Sequence, residues 1–382
     1  LPRLVVLGYF RLTHDFRAGM FLQVAILSGL ALYLVRLAER LRGRPHWADA
    51  FFPVSLLHVG HWENLVMGYQ VCFVLYAALA TLLGVVALRI TPDNAFRSGL
   101  GAGALALLLA LTGGSGLVVA LPAGAWVGFI GWSVWRTGAR GRAAVLFALA
   151  TLPAAYLAVY FHGYERPPHH PAPSTDFARV LTVTGEVLAV SLGMGLSAVW
   201  GAVAVGVVAV GALTLNRVAR RWKEPADRLS VAGLILVAAG VAGVALAVGV
   251  GRAGFDRWAE MGLWSRYALL TWPLLGLAFL AWVQVGRSAP EVGRGARWVP
   301  IALCVAAALA FPGNTGVGMA AGAQVKAEYA AIAADHAAGL TPEQVVDAHD
   351  RRASAAVLQR VEGRSARGIP LLGRDRVGIF AR

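Results

Sequence analysis

The chain has 382 residues, of which 58% are hydrophobic and 14% charged, and its mean hydropathy is +0.64. Soluble domains carry about a quarter charged residues, so a soluble enzyme, with or without one anchor, is excluded and a membrane-embedded protein is implied. The net charge of +14 and the pI near 10.7 do not point to nucleic acid. The basic residues fall in short clusters between apolar runs, and no stripe of basic and aromatic residues marks a soluble domain.

In chain order, Leu1–Arg17 reads as a short amphipathic segment ending in a turn, so residues 1–18 are expected outside the membrane. His14-Asp15 stands just before the first span. The chain opens on Leu1 rather than Met, and a preceding segment is expected. Apolar runs of bilayer length then give Gly19–Val35, Asn64–Leu88, Ser98–Leu111, Gly116–Trp135 and Ala143–Phe161. They continue with Ala198–Leu215, Leu229–Val248, Tyr267–Val285 and Trp298–Phe311. Ala48–Gly60 is short for a span. Phe177–Met194 contains Glu186 and can cross, re-enter or lie flat.

The fold class is therefore all-α, a polytopic bundle of about nine to eleven membrane helices over residues 19–311. The richness in small residues, including 45 glycines, suits close helix packing. Residues 312–382 change composition and read as a small helical tail. Helical stretches are predicted around Gly322–Ala338 and Thr341–Glu362, the second opened by Thr341-Pro342-Glu343 as cap and first turn. Cys72 and Cys304 both sit in apolar runs and read as packed thiols.

Arginine clusters set the orientation. Arg36/Arg40/Arg42/Arg44, Arg136/Arg140/Arg142, Arg217/Arg220/Arg221/Lys223/Arg228 and Arg287/Arg294/Arg297 read as cytoplasmic. They share one side only if Ala48–Gly60 crosses and Phe177–Met194 adds no crossing. The opposite side then receives His61–Asn64, the Gly113-Gly114-Ser115 turn, His162–Asp176, Gly251–Arg266 and everything after Phe311.

Several polar groups on that side are candidates for chemistry. His61-Trp62-Glu63-Asn64 is wedged between apolar stretches, where a carboxylate and an imidazole are costly unless they face water or a polar cavity. Glu63 and His61 suit a general base or a metal-bound phosphate; the alternative is an interfacial belt with Glu63 paired to a structural arginine. Between Phe161 and Pro171 lie His162, His169, His170 and Glu165, enough ligands for a metal. The prolines and the spacing equally suit a solvated linker, with Glu165 and Arg166 as substrate contacts.

Gly251-Arg252-Ala253-Gly254-Phe255-Asp256 and Trp264-Ser265-Arg266-Tyr267 flank one loop between spans. Arg252 and Arg266, with Tyr267, suit recognition of a phosphate at headgroup level, lipid headgroups offer the same chemistry, and Asp256 is a further candidate in the same loop. Glu186 is an acid in an apolar setting. No phosphate-binding P-loop, nucleophile elbow or His-Glu-x-x-His pattern occurs.

The order of an amphipathic segment, a span, an Arg-rich turn, a short helix, an acid-bearing outer turn and a long span resembles the GT-C superfamily. That class of polytopic glycosyltransferases includes protein mannosyltransferases and lipid A aminoarabinose transferases. The chain also resembles bacterial multi-pass proteins with a Trp-Glu-Asn-Leu turn leading to Gly-(Phe/Tyr)-Gln, here Trp62–Gln70. In those proteins a later Gly-Arg-x-Gly-Phe and Ser-Arg-Tyr follow, here Gly251–Phe255 and Ser265–Tyr267.

The resemblance implies inverting transfer of a sugar from a polyprenyl-phosphate donor at the periplasmic face of a bacterial inner membrane. Arg252, Arg266, Tyr267 and Arg166 would bind the donor phosphate, with or without a divalent metal such as Mg or Mn. It also places the main catalytic acid in a loop that would precede Leu1. A secondary transporter or lipid flippase, or a non-catalytic membrane scaffold, are the alternatives. The partners implied are membrane lipids and the lipid-linked sugar.

Overall fold

The computed structural model describes residues 1–15, 17–165, 170–256, 258–288 and 297–352, with backbone alone at 288, 342, 346 and 350–352. The described residues are predominantly helical and contain no strand. Eight helices are long and apolar enough to cross a membrane, so the protein is an all-α, multi-pass bundle, as composition requires. Two compact units divide the chain, Leu1–Val317 and Gly318–Arg382.

In the first unit α1 spans Pro2–Thr13 and α2 Ala18–Arg42, each ending on a left-handed residue, His14 or Gly43. Short elements follow, among them α3 (Phe51–Leu56) and α4 (Glu63–Val66). Then come α5 (Val71–Arg89), α6 (Ala95–Ala110), α7 (Gly114–Arg136) and α8 (Arg140–Phe161). The chain continues through α9 (Phe177–Ala189), α10 (Trp200–Ala219), α11 (Arg228–Arg252), α12 (Ala268–Ser288) and the 40-residue α13 (Trp298–Ala337).

Contacts between distant residues sort the helix ends into two groups. At one end Arg42 grips Asp49, Gln284 Nε2 donates to the Leu88 carbonyl (3.3 Å), Trp282 Nε1 donates to Thr214 Oγ1 (2.9 Å), and Arg221 pairs with Asp227. This is the basic end. At the other, loop-rich end the Leu1 nitrogen lies 3.1 Å from Leu111 O and Ser174 N–H donates to Val250 O (3.1 Å). Asn64 Nδ2 reaches the Arg266 carbonyl there (3.1 Å).

The return from α2 is unusual. Residues 47–70 form 3-10 turns at Trp47–Ala50, Val59–His61 and Gly68–Gln70, interleaved with α3 and α4. The start is tied to the last turn of α2 by Arg42–Asp49. Gln23 Nε2, near the beginning of α2, ties down the end by donating to the carbonyls of Met67 (3.0 Å) and Gly68 (3.1 Å). Residues 23 and 42 stand about 28 Å apart along a helix rising 1.5 Å per residue, close to the thickness of a hydrocarbon core. The crossing expected of Ala48–Gly60 is therefore made by a longer segment of short turns. The expected continuous span Asn64–Leu88 is correspondingly regular only from Val71. Side chains close the backbone groups that a regular helix would satisfy: His61 Nε2 donates to Leu56 O (2.9 Å), and His58 Nδ1 accepts from Gly60 N–H (3.1 Å).

The segment Phe177–Met194 is too short to cross as one regular helix. Thirteen residues of α9 cover about 20 Å. Val180 and Thr184 crowd Gly249 near the end of α11, and Trp200, at the start of α10, meets Gly185. Close packing elsewhere uses small residues, as at Gly240, where an added Cβ would stand 3.0 Å from Val119 Cα. Stacked aromatics fill the centre: Phe51 lies parallel to Phe279 at 5.4 Å, and buried Trp272 donates through Nε1 to Ser55 Oγ (2.9 Å).

Helix α13 runs through Pro312 rather than ending at Phe311. A proline removes one backbone donor but does not by itself end a helix whose neighbours hold it. In the second unit, Gly339 turns the chain (φ 83°) into α14 (Pro342–Arg352). Thr341 and Gln344 cap each other's backbone N–H groups (3.4 and 2.9 Å), the start predicted for this helix. Residues beyond 352, including the rest of the stretch to Glu362, lie outside the described residues.

Candidate functional site

The Trp62–Gln70 and Ser265–Tyr267 motifs, about 200 residues apart, meet at the loop-rich end. Glu63 Oε2 accepts from Ser265 Oγ (2.6 Å) and from Arg266 N–H (3.1 Å), and its Oε1 lies 3.9 Å from the Arg266 guanidinium. Asn64 Nδ2 donates to the carbonyls of Ser265 (3.3 Å) and Arg266 (3.1 Å). The first turn of a helix leaves N–H groups without intrahelical partners; Glu63 supplies the acceptor for the 3-10 turn Ser265–Tyr267 that leads into α12. Its carboxylate is buried, with both oxygens engaged. That geometry suits holding Arg266 in place.

Arg266 is itself sandwiched. Its Cζ lies 3.9 Å from the Trp264 ring centroid and 5.4 Å from that of Tyr267, a cation–π arrangement that fixes the plane of the guanidinium. Arg252, the last residue of α11, donates from Nε to Tyr267 Oη (2.9 Å) and lies over Phe255 (5.3 Å). Two arginines thus share one phenol, one on its face and one on its hydroxyl. Arg252 forms no ion pair among the described residues, so its charge is available to an anion.

Glu186 sits apart, inside a loop folded over it. Oε1 accepts from Glu260 N–H (3.0 Å) and Oε2 from Gly262 N–H (2.9 Å). Burial raises its pKa above the ordinary carboxylate value, against the lowering by these two hydrogen bonds. Glu260 adopts φ 67°, a left-handed conformation uncommon for a residue with a side chain, and the carboxylate holds it there.

Beneath Glu63 lies a second polar group. His58 and His61 pack edge to face at 4.7 Å between ring centroids. Asn314, from α13, inserts beside them: Oδ1 accepts from Gly195 N–H (2.7 Å) and Nδ2 donates to Leu192 O (2.8 Å). Gly193, at φ 95°, would place a Cβ 2.5 Å from His58 Cε1, so only glycine fits there. Nε2 of His58, Nδ1 of His61 and Oδ1 of Asn64 are buried without a hydrogen-bond partner. The two broken elements, residues 47–70 and 177–199, meet at this point.

Of the predicted site residues, Glu63, Arg266, Tyr267 and Arg252 come together, and His61 lies just below. Glu186 is braced separately. Glu165 and Asp256 are exposed. Arg166 and His169 lie outside the described residues. No group of three or more His, Cys, Asp or Glu side chains among the described residues is placed to hold a metal. Sequence reasoning missed Gln23 and His58, each a polar residue in an apolar run, and Asn314, which follows Pro312 and Gly313. Comparison with protein-family models, curated proteins and solved structures gives no match.

Proposed function

We propose that the protein is a GT-C-like membrane glycosyltransferase that receives a polyprenyl-phosphate-linked sugar at its loop-rich end. The arginine clusters, gathered at the opposite end, support an arrangement in which that end faces the periplasm of a bacterial inner membrane. The observation that carries the reading is the pair of guanidiniums, Arg252 and Arg266, meeting on Tyr267 between the end of α11 and the start of α12, two helices apolar and long enough to cross a membrane. A polyprenyl phosphate must present its charge at that depth.

In this reading Arg252 and Arg266 bind the donor phosphate and stabilise the charge it gains as the bond to the sugar breaks. The acceptor oxygen attacks the anomeric carbon, the phosphate leaves with the bonding electrons, and a carboxylate takes the acceptor proton. Glu63 is a positioning residue that fixes Arg266 through Ser265 and the Arg266 backbone. In this reading the proton goes to exposed Asp256 or Glu165, or to the acid that the resemblance places ahead of Leu1.

The test is binding of a photoreactive polyprenyl-phosphate monosaccharide to the full chain in lipid nanodiscs, followed by sugar release. Arg252→Ala and Arg266→Ala are each expected to weaken binding about 10- to 100-fold, as loss of a charge-assisted hydrogen bond does. Undiminished labelling in both variants refutes the assignment. The meeting of two broken elements at His58, Gly193 and Asn314 favours a second reading, a transporter, since such proteins bind cargo at interrupted helices. In that case Asn314→Ala would abolish solute movement in proteoliposomes while donor labelling would be absent in the wild type.

A further inference from the structure

At the basic end lies an open cleft of about 210 Å³, walled by Arg42, Arg44, His46, Arg287 and Arg297 over Trp282. Arg42 is neutralised by a two-pronged pair with Asp49 (2.8 and 2.7 Å). Arg44, Arg287 and Arg297 make no ion pair among the described residues. Three guanidiniums without an ion-pair partner among the described residues, set around one small space, repel one another and favour any anion that enters.

The imidazole is built into the wall. His46 Nδ1 accepts from Ala48 N–H (3.1 Å) while the His46 backbone N–H donates to Asp49 Oδ2 (3.1 Å), leaving Nε2 to carry the ring proton. Burial, and then the charge of Arg42, hold its pKa below the ordinary histidine value against the raising effect of Asp49, with Arg44 and Arg297 also lowering it. The ring is therefore a neutral donor at physiological pH.

Depth identifies the anion's source. Trp47 and Trp298, next to His46 and Arg297, are among the most exposed large side chains (58% and 68%), and exposed tryptophans mark the headgroup level of a bilayer. Val283 and Pro300 give the cleft an apolar side along which acyl chains can run. We propose that this cleft binds the phosphate headgroup of an anionic membrane lipid. Basic pockets between membrane helices on the cytoplasmic side are suited to such headgroups, and the volume fits a headgroup rather than a whole lipid. The site lies at the opposite end from Arg252 and Arg266, so its test is independent of the donor assay.

The full-length protein, delipidated in neutral detergent, is titrated with phosphatidylglycerol, phosphatidylcholine or inorganic phosphate, and apparent affinity is read from the thermal-stability shift. Saturable stabilisation by phosphatidylglycerol alone is expected. Arg44→Gln/Arg287→Gln/Arg297→Gln is expected to weaken it about a hundredfold, at about fivefold per arginine. Arg140→Gln/Arg142→Gln, at the same end but outside the cleft, is expected to leave it unchanged. Should the triple variant not fold, the single exposed substitutions Arg44→Gln and Arg297→Gln each carry the fivefold expectation. Equal responses to the two lipids, equal loss in the Arg140/Arg142 variant, or no loss in the cleft variants overturns the proposal. Phosphate binding as tightly as phosphatidylglycerol also overturns it, by making the ligand a free anion.

Discussion

Replacing Gly193 by alanine is expected to destabilise the protein by about 2–6 kcal/mol, from two separable sources. The backbone there has φ 95° and ψ 174°, a region essentially reserved for glycine, where a side chain costs about 1–3 kcal/mol. The new Cβ would also stand 2.5 Å from His58 Cε1 and against the Asn314 amide, and overpacking of this kind costs about 1–3 kcal/mol. Moving Asn314 aside brings no relief, because its amide holds Gly195 N–H and Leu192 O. The comparison is Gly43→Ala at the end of α2, where φ is 84° but a Cβ meets nothing within 4 Å. That change is expected to cost about 1–2 kcal/mol, from the left-handed backbone alone. Denaturant titration of both variants in the same detergent measures the difference. A Gly193→Ala loss no larger than that of Gly43→Ala would refute the crowding at the His58–Asn314 junction.

Two further outcomes follow from the carboxylates. A double-mutant cycle on Glu63→Ala and Ser265→Ala is expected to show a coupling of about 1–3 kcal/mol in stability, and Glu63→Gln, which keeps an acceptor, is expected to cost less than Glu63→Ala; zero coupling would remove Glu63 as the clamp on α12. Because the Glu186 pKa is raised, the folded state binds its proton more tightly than the unfolded state. Its contribution is therefore complete below the ordinary value of 4.5 and is lost as pH rises through the folded-state value. Glu186→Gln is expected to flatten that part of the melting-temperature profile, and an unchanged slope counts against it.

Much of the bundle could be read directly from hydropathy and charge, because both are local properties. The arginine clusters fixed which helix ends lie together, and Thr341 announced the start of α14 by a cap built from near neighbours. The meeting of Glu63 with Arg266 was predictable in sidedness but not in distance, since nothing local encodes a contact across some 200 residues. Asn314 was harder still. It follows Pro312 and Gly313, a pattern that reads as a helix end, and its partners at Leu192 and Gly195 lie in a segment whose turn depends on that same asparagine. His58 closed an apolar run and gave no periodic signal, because residues 47–70 follow neither a helical nor a strand repeat.

The broken crossing also bears on how the chain is made. A regular span can settle in the bilayer on its own before helices associate, but residues 47–70 lack that independence. Ser55 waits for Trp272, 217 residues later, and Asn64 waits for Arg266. At 5–20 residues per second of synthesis, the partner arrives roughly 10–40 s after the segment leaves the ribosome. During that interval its buried imidazoles and open carbonyls need another host, which makes the early product, with α2 made and α12 still to come, the stage at which a membrane chaperone or insertase has most to hold.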